Sequence, residues 1–463
     1  MAGTIKTVTP IDGSVYVERA LAGGAESAAA LAAARKAQAA WKRVPVKERQ
    51  ALLSKAVDAF VAKGAEIAEE ITRQIGRPLG QSPGEVRGFE ERARYMISIA
   101  PDALADLDVG EKAGFSRFIR REPLGVVFVV APWNFPFLTA VNAVVPALMA
   151  GNAVILKHSA QTPLCAERFA QAFKKAGLPK GLFQFFFLFF LDVAKLIGSE
   201  GIDFGAFPGS VEGGRAVQRA AADRFIGLGL ELGGCDPAYV RADANLEHAI
   251  ENLVDGAMFN SGQSCCGIQR IYVHKDLYKP FLEGAAALTA KYTLGNPMES
   301  GVNLGPVVRA SAAAEIRKQM AKATRGGAKP LVDAKGFKAA KAGTAYVAPQ
   351  VFAVDDNANS LMQEECFGPV VGIMKVKGDE EAVKLMNDSR FGLTAAIWTA
   401  DEEIAEVIGD RLATGTVFMN RCDYLDPALA WTGVKDSGRG CTLSRVGYES
   451  LTRPKSFHLR VKI

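Results

Sequence analysis

Apolar residues recur along this chain with two different spacings, and the change falls near residue 116. Between about residues 20 and 108 they return every three or four positions in a segment rich in Ala, Glu, Lys and Arg, which is typical of amphipathic helices. One such apolar face consists of Leu52, Leu53, Ala56, Val57, Phe60, Ile67, Ile71 and Ile75. The sequence Gly76-Arg77-Pro78 ends the run, because glycine and proline both interrupt helices. This segment is predicted to be a helical scaffold that supplies no catalytic group.

Beyond residue 116, short runs of β-branched and aromatic residues alternate with helical segments. The predicted strands are 126–130, 153–157, a Phe-rich run at 182–191, 202–207 and 225–232. The predicted helices lie near 138–149, 163–176, 193–199 and 215–222. Repeated strand–helix–strand units predict a parallel sheet with helices on both faces, and such a sheet binds ligands beyond the carboxyl ends of its strands.

In the second half, strand-like and helical segments alternate as in the first, but the sequence of the first half is not repeated. This predicts a second α/β domain. Its predicted strands are 268–274, 351–354, 369–376, 394–399 and 415–419, with helices near 246–258, 280–291, 380–386 and 402–408. Residues 118–123 form a strand-like segment beside a proline, which favours a sheet edge. The last eight residues, 456–463, also alternate as an edge strand does, and such a strand needs a partner.

Composition limits the class of protein more than its function. The chain has 463 residues, 49% hydrophobic and 23% charged, enough for two or three soluble domains. The net charge is only +5, and the basic residues are interspersed with acidic ones, so no nucleic-acid partner is expected. No apolar run reaches 18 residues and the N-terminus has no signal-like core, so neither a membrane partner nor secretion is expected. The cysteines, 165, 235, 265, 266, 366, 422 and 441, lack metal-site spacing, which predicts free thiols, no metal and a reducing cytoplasm.

The stretch from Asn260 to Cys266 is the strongest candidate for chemistry. It joins a helical run to a predicted strand and consists of small and polar residues with a glycine, so its thiols lie where the backbone changes direction. A thiol presented there to a cleft can act as a nucleophile. Adjacent cysteines are more often buried as small hydrophobic side chains. The stretch alone leaves both interpretations open.

Three further motifs accompany Gly262-Gln263-Ser264-Cys265: residues 131–136 (Ala-Pro-Trp-Asn-Phe-Pro), 231–234 (Glu-Leu-Gly-Gly) and 364–369 (Glu-Glu-Cys-Phe-Gly-Pro). In this order and at these separations they resemble the aldehyde dehydrogenase superfamily over essentially the whole chain. The resemblance implies a Rossmann-like parallel-sheet cofactor domain, a second α/β catalytic domain and a small β oligomerisation arm. The corresponding segments are 1–111 with 124–232, then 233–432, and 112–123 with 447–463. It also implies a homo-dimer or homo-tetramer, in which the tail strand pairs with a neighbouring subunit's arm.

The resemblance implies that a small-molecule aldehyde is oxidised to a carboxylic acid through a thiohemiacetal and a thioester. Cys265 occupies the position of the nucleophile, and its neighbour Cys266 is not expected to be catalytic. Asn134 matches the side chain that holds the oxyanion, although an Asn beside prolines usually stabilises a turn. Glu231 matches the base that activates water, although a Glu at a strand end is usually solvated. A coenzyme-A-acylating enzyme, which Glu231 disfavours, and an idle structural protein are the alternatives.

NAD or NADP is the implied cofactor. Its expected contacts are Trp133, Lys157, Ser159, Gly209, Ser210, Gly214, Leu232, Glu365 and Phe367. The segment 209–214 opens a helix whose N-terminus can hold a pyrophosphate, without the common Gly-x-Gly-x-x-Gly fingerprint. Ala160 replaces a Glu found in many NAD-preferring relatives, which fits NADP and leaves the choice open. Pro208 replaces a usual Thr. Asn142, Phe135 and residues 421–424 are expected near the substrate, with Arg421 as a weak candidate for binding a carboxylate.

Overall fold

The computed structural model describes residues 3–462, and within them helices and strands alternate much as predicted. The strands of the first half are β1 Thr4–Val8, β2 Val15–Ala20, β3 Leu107–Asp108, β4 Phe115–Pro123, β5 Val126–Ala131, β6 Ala153–His158, β7 Phe183–Phe185, β8 Phe204–Pro208 and β9 Gly227–Glu231. Its helices are α1 Gly24–Trp41, α2 Val46–Val61, α3 Gly64–Ile75, α4 Pro83–Ala103, α5 Pro136–Ala150, α6 Pro163–Ala176, α7 Phe190–Gly198 and α8 Val211–Ala220.

The second half continues with strands and helices of similar length. Its strands are β10 Asp236–Val240, β11 Ile268–His274, β12 Lys329–Pro330, β13 Gln350–Val354, β14 Val370–Val376, β15 Phe391–Gly392, β16 Thr394–Trp398, β17 Thr416–Met419, β18 Val434–Lys435, β19 Gly438–Arg439 and β20 Thr452–Arg460. Its helices are α9 Leu246–Met258, α10 Tyr278–Thr289, α11 Ala310–Arg325, α12 Ser360–Gln363, α13 Asp379–Asn387, α14 Glu402–Gly409 and α15 Ser444–Gly447.

The first large sheet has the strand order β19-β9-β8-β5-β6-β7, parallel except for β19. Every residue of β5 is buried, as expected of a strand covered by helices on both faces. The register places Pro208 opposite Glu231 and Val130 opposite Lys157. The carboxyl ends of β9, β8, β5 and β6 therefore lie side by side along one edge.

The second large sheet has the order β12-β13-β14-β11-β10-β16-β17, parallel except for its edge strand β12. The two predicted α/β halves are thus confirmed. Strand β10 was not predicted, because it follows the Glu-Leu-Gly-Gly sequence so closely that turn and strand merge in the apolar pattern. Helix α11 was also missed, since its buried positions are chiefly alanines that give little contrast.

A small antiparallel sheet has the strand order β20-β4-β3. The tail strand pairs with β4 of its own chain, from Thr452 opposite Pro123 to Arg460 opposite Phe115, and its pairing with a neighbouring subunit's arm stays a prediction. Phe118 stacks on Phe457 within this pair, with ring centroids 4.6 Å apart. Strand β4 is the middle strand of this sheet, so the prediction of an edge strand at 118–123 was wrong for Phe118 and Ile119, which also pair with β3. A proline at the very end of a strand interrupts no interior hydrogen bond, so it did not mark an edge.

The Phe-rich run is shorter as a strand than predicted. Only Phe183–Phe185 forms a strand, and helix α7 begins at Phe190. The intervening residues 186–188 are buried in irregular backbone, where the amide of Ala22 donates to the carbonyl of Phe187. A continuous apolar run does not distinguish a strand from other buried backbone, which explains the error.

One apolar core joins the first sheet to helices α1–α8 and to a segment from the far end of the chain. Trp431, Leu443, Tyr448 and Leu451 belong to it. Residues 431–451 therefore pack on the first sheet, although the sequence assigned no domain to 433–446. None of the helices in residues 3–462 is both long and apolar enough to cross a bilayer.

Candidate active site

A cavity of about 340 Å³ opens where the carboxyl edge of the first sheet meets the loop before β11. It brings together Cys265, Asn134 and Glu231, although these residues are far apart in the sequence. Cys265 is half-buried and its neighbour Cys266 is buried. The remaining wall is mostly apolar and includes Trp133, Phe135, Leu138, Leu425 and Trp431.

The backbone before Cys265 is conformationally unusual. Helix α9 ends at Met258, and a short turn follows in which Asn260, Ser261 and Gly262 have φ values of 52°, 56° and 71°. Non-glycine residues rarely adopt this left-handed region, so such a turn persists only where its surroundings hold it. The Ser261 hydroxyl donates to the carbonyl of Gly305 at 2.9 Å, and a Cβ on Gly262 would collide with the backbone of Gly368. The turn is fixed from two sides.

A buried ion pair holds this turn against the loop that carries Asn134. Arg77 and Glu85 lie 2.5 Å apart with side chains 1% and 0% exposed. Arg77 donates to the carbonyl of Asn134 and, at 3.0 Å, to Oδ1 of Asn260. Glu85 accepts the amide N–H groups of Phe137 and Leu138 at 2.9 and 3.0 Å, at the start of α5. The segment predicted to be bare scaffold therefore positions both the nucleophile loop and the oxyanion loop.

Asn134 itself is 6% exposed and lines the cavity. Its carbonyl accepts from Arg77 and from Nδ2 of Asn260, at 3.0 Å in the second case. Its own Nδ2 donates to the carbonyl of Gln263 at 3.2 Å, which leaves one amide hydrogen free. A fixed side-chain donor beside a thiol is what stabilisation of an oxyanion requires.

Glu231 ends strand β9 and forms no ion pair within the described residues. The Thr442 hydroxyl donates to Oε1 of Glu231 at 2.8 Å. Burial raises the pKa of Glu231 to about 7, against the hydrogen bond from Thr442 and the charge of Arg92, which lower it. A carboxyl group with this pKa can accept a proton near neutral pH and also be ionised there, as a general base must.

The two glycines after Glu231 are required by close packing. A Cβ on Gly233 would overlap the carboxylate of Glu365, and a Cβ on Gly234 would overlap the carbonyl of Cys265. The amide of Gly234 donates to Oε1 of Glu365 at 3.1 Å. The Glu-Leu-Gly-Gly sequence thus lets the cysteine loop and the Glu365 loop approach the end of β9.

Cys266 has surroundings that suit a structural thiol. It is 3% exposed, and its Sγ donates to Oδ1 of Asp423 at 2.9 Å. The neighbouring Cys265 thiol and burial raise the pKa of Cys266 well above its ordinary value. Since the thiolate is the reactive form, Cys266 is a poor nucleophile.

The predicted cofactor residues fall into three groups. Trp133, Gly209, Ser210, Glu365 and Phe367 line the cavity, and the rings of Trp133 and Phe367 meet edge-to-face at 5.7 Å. Gly214 and Leu232 line a neighbouring pocket, where a Cβ on Gly214 would overlap Leu232. Lys157 and Ser159 lie at the end of β6 and line neither of these two spaces.

The Lys157 ammonium and the Ser210 hydroxyl donate no hydrogen bond within residues 3–462. Burial lowers the pKa of Lys157. The Ser210 hydroxyl accepts the amide of Gly213 at 3.2 Å and so caps helix α8, which leaves its own hydrogen free to donate. In the part of the chain that the structure describes, no cluster of His, Cys, Asp and Glu could hold a metal ion.

Some of the residues predicted to lie near the substrate line the cavity, and others do not. Asn142, Phe135 and Asp423 line the cavity. Arg421 does not, since it is exposed and lies over the Tyr424 ring at 3.9 Å. Its guanidinium stacks on an aromatic face, so the suggestion that it meets a substrate carboxylate is not supported.

Arg77, Glu85, Asn260 and Arg92 were missed as site residues. Glu85 and Arg92 do carry a signal in the sequence: both fall on the face of α4 that also holds Phe89 and Met96, all of them buried. Charged residues at core-facing positions need partners, so their spacing could have revealed them.

The sequence agrees with this geometry. The model of the aldehyde dehydrogenase family matches residues 1–457. The chain belongs to the aldehyde dehydrogenase family. It is similar to the Escherichia coli succinate semialdehyde dehydrogenase [NAD(P)+] Sad, with 34% identity over 88% of this chain and 87% of the relative. It is 31% identical to the Mycobacterium tuberculosis succinate-semialdehyde dehydrogenase [NADP(+)] 1, over 98% of this chain and 99% of the relative.

A solved NAD-dependent aldehyde dehydrogenase from Sinorhizobium meliloti has the same fold. It superposes with a TM-score of 0.94 at 30% identity, over 99% of this chain and 92% of that one. The expected class of enzyme is confirmed: an NAD(P)-dependent aldehyde dehydrogenase that oxidises aldehydes to carboxylic acids.

Proposed function

We propose that Cys265 is the nucleophile that attacks the aldehyde carbonyl. It is half-buried in the cavity wall, and the neighbouring Cys266 is held by Asp423. The thiol proton of Cys265 passes to solvent as the sulfur attacks, the carbonyl oxygen becomes an alkoxide, and the free amide hydrogen of Asn134 donates to it. A nicotinamide cofactor held by Trp133, Glu365 and Phe367 would accept the hydride of the thiohemiacetal, and a thioester on Cys265 would remain.

Glu231 completes the reaction by removing a proton from water as the water attacks the thioester. Release of the carboxylic acid leaves the thiolate of Cys265, which becomes a thiol again by taking the proton that Glu231 removed from water. The observation that carries this proposal is that Cys265, Asn134 and Glu231 line one cavity, with the pKa of Glu231 raised to about 7 by burial. Water activation disfavours the coenzyme-A-acylating alternative, which needs the thioester to survive.

The decisive experiment incubates the protein with aldehyde and either cofactor. We expect reduced cofactor together with free acid. Cys265→Ala should abolish oxidation, whereas Cys266→Ala, its matched control, should retain most of it. Glu231→Gln should give a first-turnover burst of reduced cofactor and then slow by about 100-fold or more, because a general base is worth this much. Transfer of the acyl group to coenzyme A, or no turnover in the parent protein, would contradict the proposal.

We propose that Trp133, Gly209, Ser210, Glu365 and Phe367 hold the nicotinamide side of the cofactor. All five residues line the wall of the cavity that also contains Glu231. Lys157 and Ser159 then hold the adenosine ribose, Gly214 and Leu232 support helix α8, and segments 1–111 and 124–232 form the cofactor domain. The segment 233–432 is the catalytic domain.

NADP is the cofactor that the adenosine end favours. Ala160 is exposed and puts no carboxylate beside the unpaired Lys157, so a 2′-phosphate meets no repulsion there. We expect kcat/KM for NADP to exceed that for NAD, and Ala160→Glu to reverse the order. An unchanged ratio in Ala160→Glu would show that this position does not select the cofactor.

The relatives' names direct attention to one substrate class. The Escherichia coli and Mycobacterium tuberculosis relatives are named succinate semialdehyde dehydrogenases. We therefore propose that this enzyme oxidises aldehydes that carry a carboxylate at the far end. A panel of short, aromatic and acidic aldehydes tests the choice, and a preference for uncharged aldehydes would overturn it.

We propose that the arm, residues 112–123 and 447–463, joins subunits into a homo-dimer or homo-tetramer. Strand β20 lies at the edge of its sheet, and Leu459 and Val461 beside it are 48% and 64% exposed. A long edge strand with exposed apolar side chains is usually covered by a partner. Sedimentation should show an oligomer that Leu459→Lys weakens. We also propose a cytoplasmic location, since all seven cysteines are free thiols.

A further inference from the structure

Arg92 is a buried cation on the wall of the cavity that contains Cys265. It projects from helix α4 and is 8% exposed. Among residues 3–462 it is the one basic side chain that lines this cavity. Arg92 has no role in the mechanism proposed for Cys265, Asn134 and Glu231. Burying a guanidinium without an anion is energetically unfavourable, so an anionic partner is expected.

Only one nitrogen of the Arg92 guanidinium is occupied. Nη1 donates to the carbonyl of Leu138 at 2.8 Å and to Oδ1 of Asn142 at 3.3 Å. Nε and Nη2 have no partner within the described residues, and Arg92 forms no ion pair there. The two contacts on α5 fix the direction of the guanidinium plane, while the unused N–H groups remain available to a ligand. Two such groups match the two oxygens of a carboxylate.

The neighbouring acids do not supply the missing anion. Glu85 is engaged by Arg77 and by two amide N–H groups, and Glu231 is engaged by Thr442. Asp423 accepts from Ser264 and Cys266 at 2.9 Å each. The remaining acid on the wall, Glu365, accepts from Gly234. Each of these four carboxylates is oriented by another partner. Glu91 and Asp255 line the adjoining pocket, but neither forms an ion pair with Arg92 in the described residues, since Glu91 accepts from the Tyr424 hydroxyl. Arg92 is therefore left for an incoming anion.

Arg92 also lies on the side of the cavity away from the proposed cofactor residues. A second pocket of about 410 Å³ adjoins the first and shares Arg92, Phe135, Leu138, Asp423 and Leu425 with it. None of the proposed cofactor residues lines that second pocket. Arg92 therefore borders both the cavity with Cys265 and the pocket beside it.

We propose that Arg92 is the specificity-determining residue that binds the distal carboxylate of the aldehyde substrate, through its unoccupied N–H groups. The inference rests on the proposed function of Cys265 and goes beyond it by assigning substrate choice to one side chain. The apolar wall of Phe135 and Leu138 contacts the carbon chain between the two ends. Arg92 touches no reacting atom, so its effect falls on substrate binding.

The test compares two aldehydes of equal length, 4-oxobutanoate and butanal, under the same conditions. In the parent enzyme we expect kcat/KM for 4-oxobutanoate to exceed that for butanal by about tenfold or more. Arg92→Leu should lower this ratio by about 10- to 100-fold, which corresponds to the loss of a hydrogen-bonded charge pair. The loss should appear mainly in KM, because the carboxylate is bound equally before and during the reaction.

Arg421→Leu is the matched control, since it removes an exposed guanidinium from the neighbouring loop and should leave the ratio unchanged. Arg92→Lys, which keeps the charge without the paired donors, should give an intermediate ratio and serves if Arg92→Leu does not fold. An equal loss for both aldehydes, with a shifted pH profile, would show that Arg92 acts on Glu231 instead. An unchanged ratio in both Arg92 variants would also overturn the inference.

These outcomes separate the inference from the proposed function. If the parent enzyme oxidises neither aldehyde with either cofactor, the proposed function itself fails. If it oxidises both equally well, aldehyde oxidation stands, whereas the distal carboxylate and the role of Arg92 are rejected.

Discussion

The two reactive walls of the cavity are held by opposite kinds of interaction. The wall with Cys265 and Asn134 is anchored by the buried ion pair of Arg77 and Glu85. The wall with Glu231 is anchored by the neutral hydroxyl of Thr442 and by backbone pairing with β19. Both walls are fixed, but only the first is fixed by charge.

This difference suits the work of each wall. An oxyanion donor must keep its position in every protonation state of the site. Strongly hydrogen-bonded charges hold a loop in one geometry and so provide this. A general base must change its own charge during turnover, so a salt bridge would hold it ionised and weaken it. Because no ion pair holds Glu231, burial outweighs the hydrogen bond from Thr442 and the charge of Arg92, and it raises the pKa of Glu231 to about 7.

The largest effect is expected when the charged wall is broken. Arg77→Met leaves Glu85 buried without its cation and removes a donor from both Asn134 and Asn260. We expect the free energy of unfolding to fall by about 3–5 kcal/mol, the cost of breaking a buried pair. The folded fraction should also have kcat reduced by about 10- to 100-fold, because the donor is displaced. Denaturant titration and steady-state kinetics measure both effects.

Arg73→Met is the matched control for this substitution. Arg73 pairs with Glu69 at 2.8 Å one turn away on α3, with both side chains well exposed. Removing an exposed pair should change stability by less than about 1 kcal/mol and leave kcat unchanged. Equal losses in the two variants would mean that burial of the Arg77–Glu85 pair does not matter.

The sequence predicted the two α/β halves because their strands are continuous apolar runs between well-separated helices. Cys265, Asn134 and Glu231 were found through motifs, and they do line one cavity. Their roles remain predictions until the variants are measured. The apolar pattern was less informative for β10 and for the Phe-rich run, where turn, strand and buried irregular backbone share the same composition.

The residues that sequence analysis missed are those that act through contacts over a long sequence separation. Arg77 reaches Asn260, 183 positions away, and Thr442 reaches Glu231, 211 positions away. No local pattern encodes such a partner. The buried charges on α4 could have been noticed, since Glu85 and Arg92 share a face with Phe89, but their partners could not have been named.

A smaller effect is expected from changing pH, and it tests the neutral wall. Glu231 must be deprotonated to accept a proton from water, and its pKa is raised to about 7. The rate of acid release should therefore rise with pH up to about pH 7 and then level off, falling about tenfold for each unit below. Stopped-flow measurement of the steady rate after the burst separates this step from hydride transfer.

Glu365 is the natural control for that profile, because burial also raises its pKa to about 7. Glu365→Gln should keep the acid limb of the profile, whereas Glu231→Gln should lose it and show a slow, nearly pH-independent rate. If the acid limb were lost in Glu365→Gln and kept in Glu231→Gln, the titrating group would be Glu365, and the role proposed for Glu231 would be wrong.

The smallest effect is expected from removing the Thr442 hydroxyl, a neutral hydrogen-bond donor to Glu231. In the parent protein the Thr442 hydroxyl donates to Glu231 at 2.8 Å and lowers the pKa of Glu231 by favouring its charged form. Thr442→Val removes this donor. Without it the pKa should rise, so the acid limb should move to higher pH by about one unit, the value of one hydrogen bond to a charged group. The rate on the plateau should change little, since the base remains in place.

Thr139→Val is the matched control for Thr442→Val. Thr139 also lines the cavity, but its hydroxyl donates to the carbonyl of Phe135 at 2.8 Å and not to a carboxylate. The limb should therefore stay where it is in this variant. If Thr442→Val moved the limb to lower pH, the hydroxyl could not be stabilising the carboxylate, and the contrast between a charged wall and a neutral wall would lose its electrostatic basis.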